Sequence, residues 1–148
     1  MASDLAYCIH CWARIPVQAP VCPVCGAPTA DIDVDIVDKY IIALHHPQAE
    51  TRLRAAWMLG RMRAVRALPA LQEIVRARGD GDPYLLSAAV QSLGQIGDDR
   101  AMPVLRNLLD DQNAAFMARV QTINALNYLI NFNERAREAE AARPRESR

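Results

Sequence analysis

The chain reads Arg52-Leu-Arg-Ala-Ala-Trp-Met-Leu-Gly60, and 34 residues later it reads Leu86-Ser-Ala-Ala-Val-Gln-Ser-Leu-Gly94. Each segment is followed by a second helical pattern, Ala67-Leu-Pro-Ala-Leu71 and then Ala101-Met-Pro-Val-Leu105. The glycines and the prolines keep the same spacing, so the period runs through both helices of the unit. A third, degraded copy begins at Arg119. A fixed period of this length predicts a mainly α fold, a short α-solenoid of stacked helical hairpins.

Apolar residues recur along this body at steps of three and four, which predicts helices that bury one face. We expect one helix of the second unit to face the next, and a further stripe to carry the core into the third unit. Gly94 predicts close approach of paired helices, and Pro103 suits the first turn of a helix. The stripes are Leu85, Ala89, Leu93 and Ile96; Met102, Leu105, Leu108 and Leu109; and Phe116, Val120, Ile123, Leu126 and Ile130.

These units resemble HEAT-like repeats of the phycocyanobilin-lyase type, which combine an Arg-x-x-Ala-Ala-x-x-Leu-Gly helix, an acidic turn and an Ala-x-Pro-x-Leu helix. The resemblance covers about Pro47 to Ile130. Two departures are Leu86, which replaces the arginine, and the basic segment 63–66, which replaces the acidic turn. The resemblance implies a solenoid that binds partners. Bilin lyase-like activity, or a role as an enzyme-associated subunit, is an alternative, because fold alone does not determine function.

All four cysteines lie in the first 25 residues, as Cys8-Ile-His-Cys11 and Cys22-Pro-Val-Cys25. Two such pairs at this separation predict a single tetrahedral metal site. Without a secretion signal, bound metal is favoured over two disulfides of an exported protein. A segment this short cannot bury enough surface to fold alone, so the metal would supply its stability.

The segment from Tyr7 to Pro28 resembles the short zinc ribbons at the N-termini of many prokaryotic proteins. The second pair, followed by Gly26, fits that pattern closely, whereas Trp12 replaces the glycine after the first pair. The resemblance implies one structural Zn²⁺ held by Cys8, Cys11, Cys22 and Cys25, with iron as the alternative metal. Four thiolates close the coordination shell and leave no position for a catalytic water. We expect His10 to face solvent.

The sequence therefore divides into three parts: a zinc ribbon over residues 1–30, a HEAT-like solenoid over 31–132, and a charged cap or tail over 133–148. We expect the solenoid to contain a leading helix, two full repeats and one degenerate repeat, about six helices in total. In the last part, Pro144 would stop any helix.

Composition restricts the class of function. The net charge is zero, so no general attraction to nucleic acid or an anionic membrane is expected. No segment is long and apolar enough to span a membrane, and the N-terminus lacks a secretion signal, which predicts a cytoplasmic protein. No phosphate-binding loop, nucleophile elbow or zinc-protease motif occurs. No His-Glu pairs recur at the repeat period, as they do in the di-iron hydroxylase variety of HEAT protein.

We therefore expect a non-catalytic adaptor that binds a protein partner, with the oligomeric state left open. Charge is nevertheless uneven. Residues 47–80 contain seven arginines and three acids, a net of +4, and residues 81–113 contain two arginines and five aspartates, a net of −3. Arg61, Arg63 and Arg66 form a candidate partner-binding surface. Together with the zinc ribbon, these arginines give the alternative of a nucleic-acid-binding protein. Neutralisation between neighbouring charges is the simpler explanation.

Overall fold

The structure, a computed structural model, describes residues 5–29 and 35–143. The expected boundary at residue 30 and the expected helix stop at Pro144 lie outside these ranges. The described part contains two short strands and six α-helices, so the prediction of a mainly α solenoid behind a small N-terminal module is confirmed. The elements are β1 (Leu5–Tyr7), β2 (Arg14–Pro16), α1 (Ile36–Ala43), α2 (Ala49–Arg61), α3 (Leu68–Arg76), α4 (Pro83–Ile96), α5 (Met102–Asp110) and α6 (Phe116–Ala141).

The N-terminal module is an antiparallel hairpin in which Ala6 pairs with Ile15. Its interior consists of three buried residues, Cys8, Ile15 and Cys22, with Ala13 packed against them. So small a core cannot offset the conformational entropy lost on folding. The module therefore needs an additional source of stability, and its two buried cysteines are candidates to provide it.

The helices form two layers over one continuous core. Helices α2, α4 and α6 lie side by side in one layer, and α3 and α5 adjoin each other in the second. Apolar side chains from both layers fill the space between them, as expected for helices with a stripe at steps of three and four. The most deeply buried large residues are Leu59, Leu71, Leu85, Leu93, Leu105, Leu108 and Leu129.

The helices pair half a repeat away from the division expected from sequence. Helix α1 packs on α2, α3 on α4, and α5 on α6, so α1 belongs to a hairpin and is not a lone leading helix. The facing stripes proposed for α4 and α5 accordingly pack elsewhere, α4 mainly against α2, α3 and α6. A repeat period fixes the spacing of equivalent residues but not the point at which a unit begins, which is why the sequence left this undetermined.

The core stripe of α6 also differs from the expectation. Phe116, Ile123 and Ile130 are exposed, Phe116 to 76%, and Leu126 is the member of the expected stripe that is buried. The helix turns its small residues inward because it lies very close to α4. Bulky side chains would hold the two helices apart at this point. The buried residues of α6 are Ala118, Thr122, Ala125, Leu126 and Leu129.

Glycines set the spacing within the α2–α4–α6 layer. A Cβ atom on Gly60 would lie 2.7 Å from the Cα atom of Ser92, and one on Gly94 would lie 3.0 Å from the Cα atom of Ala125. Ser92 also donates a buried hydrogen bond of 2.7 Å to the carbonyl of Ala56. The predicted close approach at Gly94 is therefore present, and it occurs between α4 and α6.

Helix α6 continues through residue 132, where the sequence suggested a boundary. The span Phe116–Ala141 contains no glycine or proline that would end it earlier. Its C-terminal half contacts the turn after α4: Phe132 covers Gly97, and the Asn133 amide donates a 2.5 Å hydrogen bond to Asp99. No helix in the described ranges is long and apolar enough to cross a membrane.

Candidate metal centre

Both cysteine pairs fold into the same backbone loop. In the first, the Trp12 N–H donates to the Cys8 carbonyl at 2.8 Å and the Cys8 N–H donates to Ala13 at 2.9 Å. In the second, Gly26 donates to Cys22 at 2.9 Å and Cys22 donates to the Ala27 carbonyl at 2.8 Å. The first cysteine of each pair is buried and the second is exposed. This internal repetition brings all four thiols to one point between the loops.

The four Sγ atoms lie within 4.8 Å of one another. The Cys8–Cys25 and Cys11–Cys22 sulfur pairs are each 3.7 Å apart. For a tetrahedral ion with metal–sulfur bonds of about 2.3 Å, geometry requires sulfur–sulfur distances of about 3.8 Å. The arrangement therefore fits one four-coordinate metal ion. His10 is exposed and outside the cluster, although its backbone N–H lies 3.4 Å from the Cys8 sulfur.

The thiols differ in acidity. Backbone hydrogen bonds from Cys25 and Val24 lower the pKa of Cys22 to about 6, despite the opposing effect of burial. The backbone hydrogen bond with Ala13 acts to lower the pKa of Cys11, but burial and the three neighbouring thiols raise it to about 12. Four negative sulfurs cannot share this volume without a positive charge among them. A bound cation would remove that conflict.

Trp12 has an unusual backbone conformation. Its φ of 59° lies in the left-handed region, and the equivalent residue of the second loop is Gly26 with φ 73°. A bulky residue at such a φ costs about 1–2 kcal/mol relative to the right-handed region. The first loop therefore keeps the glycine-type turn although Trp12 replaces the glycine. The indole contact described next offers a compensating interaction.

The aromatic side chains of the ribbon contact the solenoid at His46, just after α1. The rings of Tyr7 and Trp12 lie 4.5 Å and 4.9 Å from the His46 imidazole, both edge-to-face. The Gln48 backbone N–H donates to the Nδ1 atom of His46 at 3.0 Å, which fixes the ring. His46 is 9% exposed. The sequence gives no indication of this contact, since two adjacent histidines before a proline carry no signal of burial.

We predict that Trp12→Gly will keep the metal but loosen the ribbon from the solenoid. Glycine relieves the backbone strain but removes the indole from His46. The expected result is one metal per chain, together with His46 ring proton resonances shifted toward those of a solvated histidine. NMR with Val17→Gly, an exposed residue of the same module, gives the control. Unchanged His46 resonances in Trp12→Gly would show that the indole does not hold the two parts together.

Each of the three arginines proposed as a partner surface contacts a residue of its own chain. Arg66 forms ion pairs with Asp35 at 3.1 Å and Asp38 at 3.7 Å. Arg61 lies over the Trp57 ring, 4.6 Å from its centroid. The basic segment is therefore partly neutralised, and it joins α1 to the turn after α2.

Arg63 is the second large residue in a glycine-type position. Its φ is 49°, and Gly97, 34 residues later in the repeat, has φ 76°. The guanidinium lies 4.3 Å from the centre of the Phe132 ring and donates a 3.0 Å hydrogen bond to the Tyr128 hydroxyl. Arg63 thus connects the first repeat to α6.

Comparison with known proteins agrees with this architecture. The family profile for HEAT repeats matches residues 37–129, well over half of the chain. The chain belongs to the HEAT-repeat family. The match begins in α1 and ends near the middle of α6, so it covers the first two hairpins and part of the third. The ribbon lies outside the matched residues.

Curated proteins match parts of this chain. The uncharacterized phycocyanin operon protein Y of Pseudanabaena tenuis is 34% identical over 93 residues, which are 58% of this chain and 21% of the relative. The deoxyhypusine hydroxylases of Neosartorya fischeri and Aspergillus fumigatus are 25% and 26% identical over 116 residues, 78% of this chain and 34% of each relative. The chain thus spans about a fifth to a third of the length of these relatives.

Proposed function

We propose that this protein is a non-catalytic, zinc-binding HEAT-repeat adaptor that binds a protein partner in the cytoplasm. The observation that carries the proposal is the closed cluster of four sulfurs beside a repeat array. Because four cysteines fill a tetrahedral shell, a metal held there has no coordination position for a substrate or a water. The remaining fold is a solenoid, whose surface is suited to extended contact with another protein.

Zinc is the metal that the donor set fits best. Cys8, Cys11, Cys22 and Cys25 would hold it, and its role would be to stabilise the ribbon. Four-thiolate sites also bind iron, which is the alternative. The small core of the ribbon supports a structural role, because Ile15 and two of the cysteines are its buried residues within the described range 5–29.

Protein binding is tested by native co-purification of the tagged full-length chain followed by mass spectrometry. We expect a defined protein partner, recovered in reproducible stoichiometry and lost when the solenoid is unfolded. Turnover of small-molecule substrates by the purified chain, with no partner bound, would contradict the adaptor assignment.

The name of the phycocyanin operon relative supports a specific check on the same material. If this chain binds or transfers a bilin, the purified protein will carry visible absorbance from the chromophore. We expect a colourless preparation and no transfer of added bilin to an acceptor protein. A bound chromophore would favour the lyase-like alternative.

Nucleic-acid binding remains the second candidate, because Trp57 and Tyr84 are 45% and 73% exposed and lie near basic residues. Exposed aromatic side chains next to arginines are typical of single-strand binding. The ion pairs of Arg66 and the internal contacts of Arg63 weaken this candidate. Alanine at Arg61, Arg63 and Arg66 would weaken salt-dependent binding in a shift assay if the candidate is correct.

A further inference from the structure

Two clefts run across the outer side of the α2–α4–α6 layer. The first, between α2 and α4, has a volume of about 320 Å³ and is lined by residues that include Leu53, Trp57 and Tyr84. The second, between α4 and α6, has a volume of about 150 Å³. Gln91 lines both clefts, so they adjoin at this residue, and we call the two together the α2–α4–α6 groove.

One end of the groove is an aromatic socket. Trp57 and Tyr84 line it together with the apolar residues Leu53 and Ala88. Both aromatic side chains are largely exposed, and a tryptophan left in water exposes a large apolar area. Tryptophan and tyrosine in such positions commonly provide most of the binding energy at protein interfaces. The socket is suited to one apolar or aromatic side chain.

The other end of the groove is lined by amide side chains. Gln91, Gln95, Gln121 and Asn124 contribute to it, together with Tyr128. Each amide offers both a donor and an acceptor, the combination that matches a peptide group. The Oε1 atom of Gln95 is buried and accepts no hydrogen bond from any described residue. Because that atom is buried, a ligand in the groove would instead meet the exposed amides of Gln91 and Asn124.

Charge around the groove favours an acidic ligand. Helix α4, its central element, has no charged side chain between Pro83 and Ile96. Arg61 lies over the Trp57 ring at the socket, and Arg54 lines the first cleft. A nucleic acid strand would need a run of unpaired cations along its phosphates. Here Arg54 is already paired with Glu50 at 2.6 Å, which leaves a local positive site and not a continuous basic track.

We propose that the α2–α4–α6 groove binds an extended acidic peptide segment of a partner protein. An apolar side chain of the peptide enters the socket between Trp57 and Tyr84. The peptide groups hydrogen-bond to the exposed amides of Gln91 and Asn124, and a carboxylate meets Arg61. This assignment rests on the proposed adaptor function and specifies the kind of partner that the solenoid binds.

The test starts with a selection of random twelve-residue peptides on the immobilised, metal-loaded full-length chain. Enriched peptides are labelled and their Kd is measured by fluorescence anisotropy. We expect an aromatic or aliphatic residue flanked by aspartate or glutamate. Trp57→Ala and Tyr84→Ala should each weaken binding at least tenfold, and Arg61→Ala severalfold. Phe116→Ala, which truncates an aromatic residue of similar exposure outside the groove, and Arg106→Ala, on α5, should bind normally.

Three outcomes overturn the proposal: no enrichment over a bare surface, peptides that bind Trp57→Ala and Tyr84→Ala as tightly as the parent, or a dT12 oligonucleotide that displaces them and binds more tightly. Because Tyr84 is highly exposed, Tyr84→Ala tests the groove even if Trp57→Ala is unstable. Far-UV circular dichroism verifies that both variants are folded. A partner that co-purifies equally with the parent and with Tyr84→Ala would leave the adaptor function standing and remove the groove from it.

Discussion

Replacement of Cys22 by serine is expected to release about one metal ion per chain and to unfold the ribbon, while the helices of the solenoid remain. Cys22 is buried, and its sulfur lies 3.7 Å from that of Cys11, so no other residue can take its place in the shell. Structural zinc binding is worth on the order of 10–16 kcal/mol, far more than this small core could supply. Loss of the metal should therefore unfold the ribbon completely.

The metal content is measured by elemental analysis, helicity by circular dichroism, and ribbon order by NMR. His10→Ser is the matched control, because His10 lies inside the first loop but outside the sulfur cluster. It should retain the metal and the dispersed ribbon resonances. Loss of helicity in Cys22→Ser would show that the solenoid depends on the ribbon for its own folding.

The second large effect is expected for Gly94→Val, which should lower the free energy of unfolding by about 3 kcal/mol, the upper part of the range for overpacked sites. The new side chain would meet the carbonyl oxygen and Cα of Ala125 at 2.9 Å and 3.0 Å. These are backbone atoms, so α4 and α6 must separate to make room. For a domain of this size the melting temperature should fall by roughly 15 °C.

Asn107→Val is the control for placing a β-branched valine in a helix, because valine and asparagine have similar helix propensities and both exceed that of glycine. Asn107 is exposed on α5 and lines an open cleft beside α3, so a valine there has room. This substitution should lower the free energy of unfolding by about 0.5 kcal/mol or less. If thermal unfolding shows the same small loss for both variants, the layer does not depend on close contact at Gly94.

The parts of the fold that follow from spacing could be predicted from the sequence. The cysteine pairs predicted one cluster because sulfur ligands at that separation can reach a common point. The 34-residue period predicted a solenoid, and Gly94 predicted a close contact. In each case a local pattern is sufficient, since the feature depends on residues a fixed number of positions apart.

The features that depend on tertiary contacts could not be predicted in this way. The close approach of α6 to α4 determines which helices pair into hairpins. It also determines that Ala125 is buried in place of Ile123. Trp12 and Arg63 adopt glycine-type conformations while contacting residues 34 and 69 positions away, His46 and Phe132. Nothing in their immediate sequence indicates either contact.

The four-cysteine zinc site is tested most directly by X-ray absorption spectroscopy of the purified full-length protein at the zinc edge. We expect one zinc per chain, coordinated by four sulfur atoms at about 2.3 Å. A first shell that contains nitrogen or oxygen ligands, or a folded ribbon that contains no metal, would contradict it.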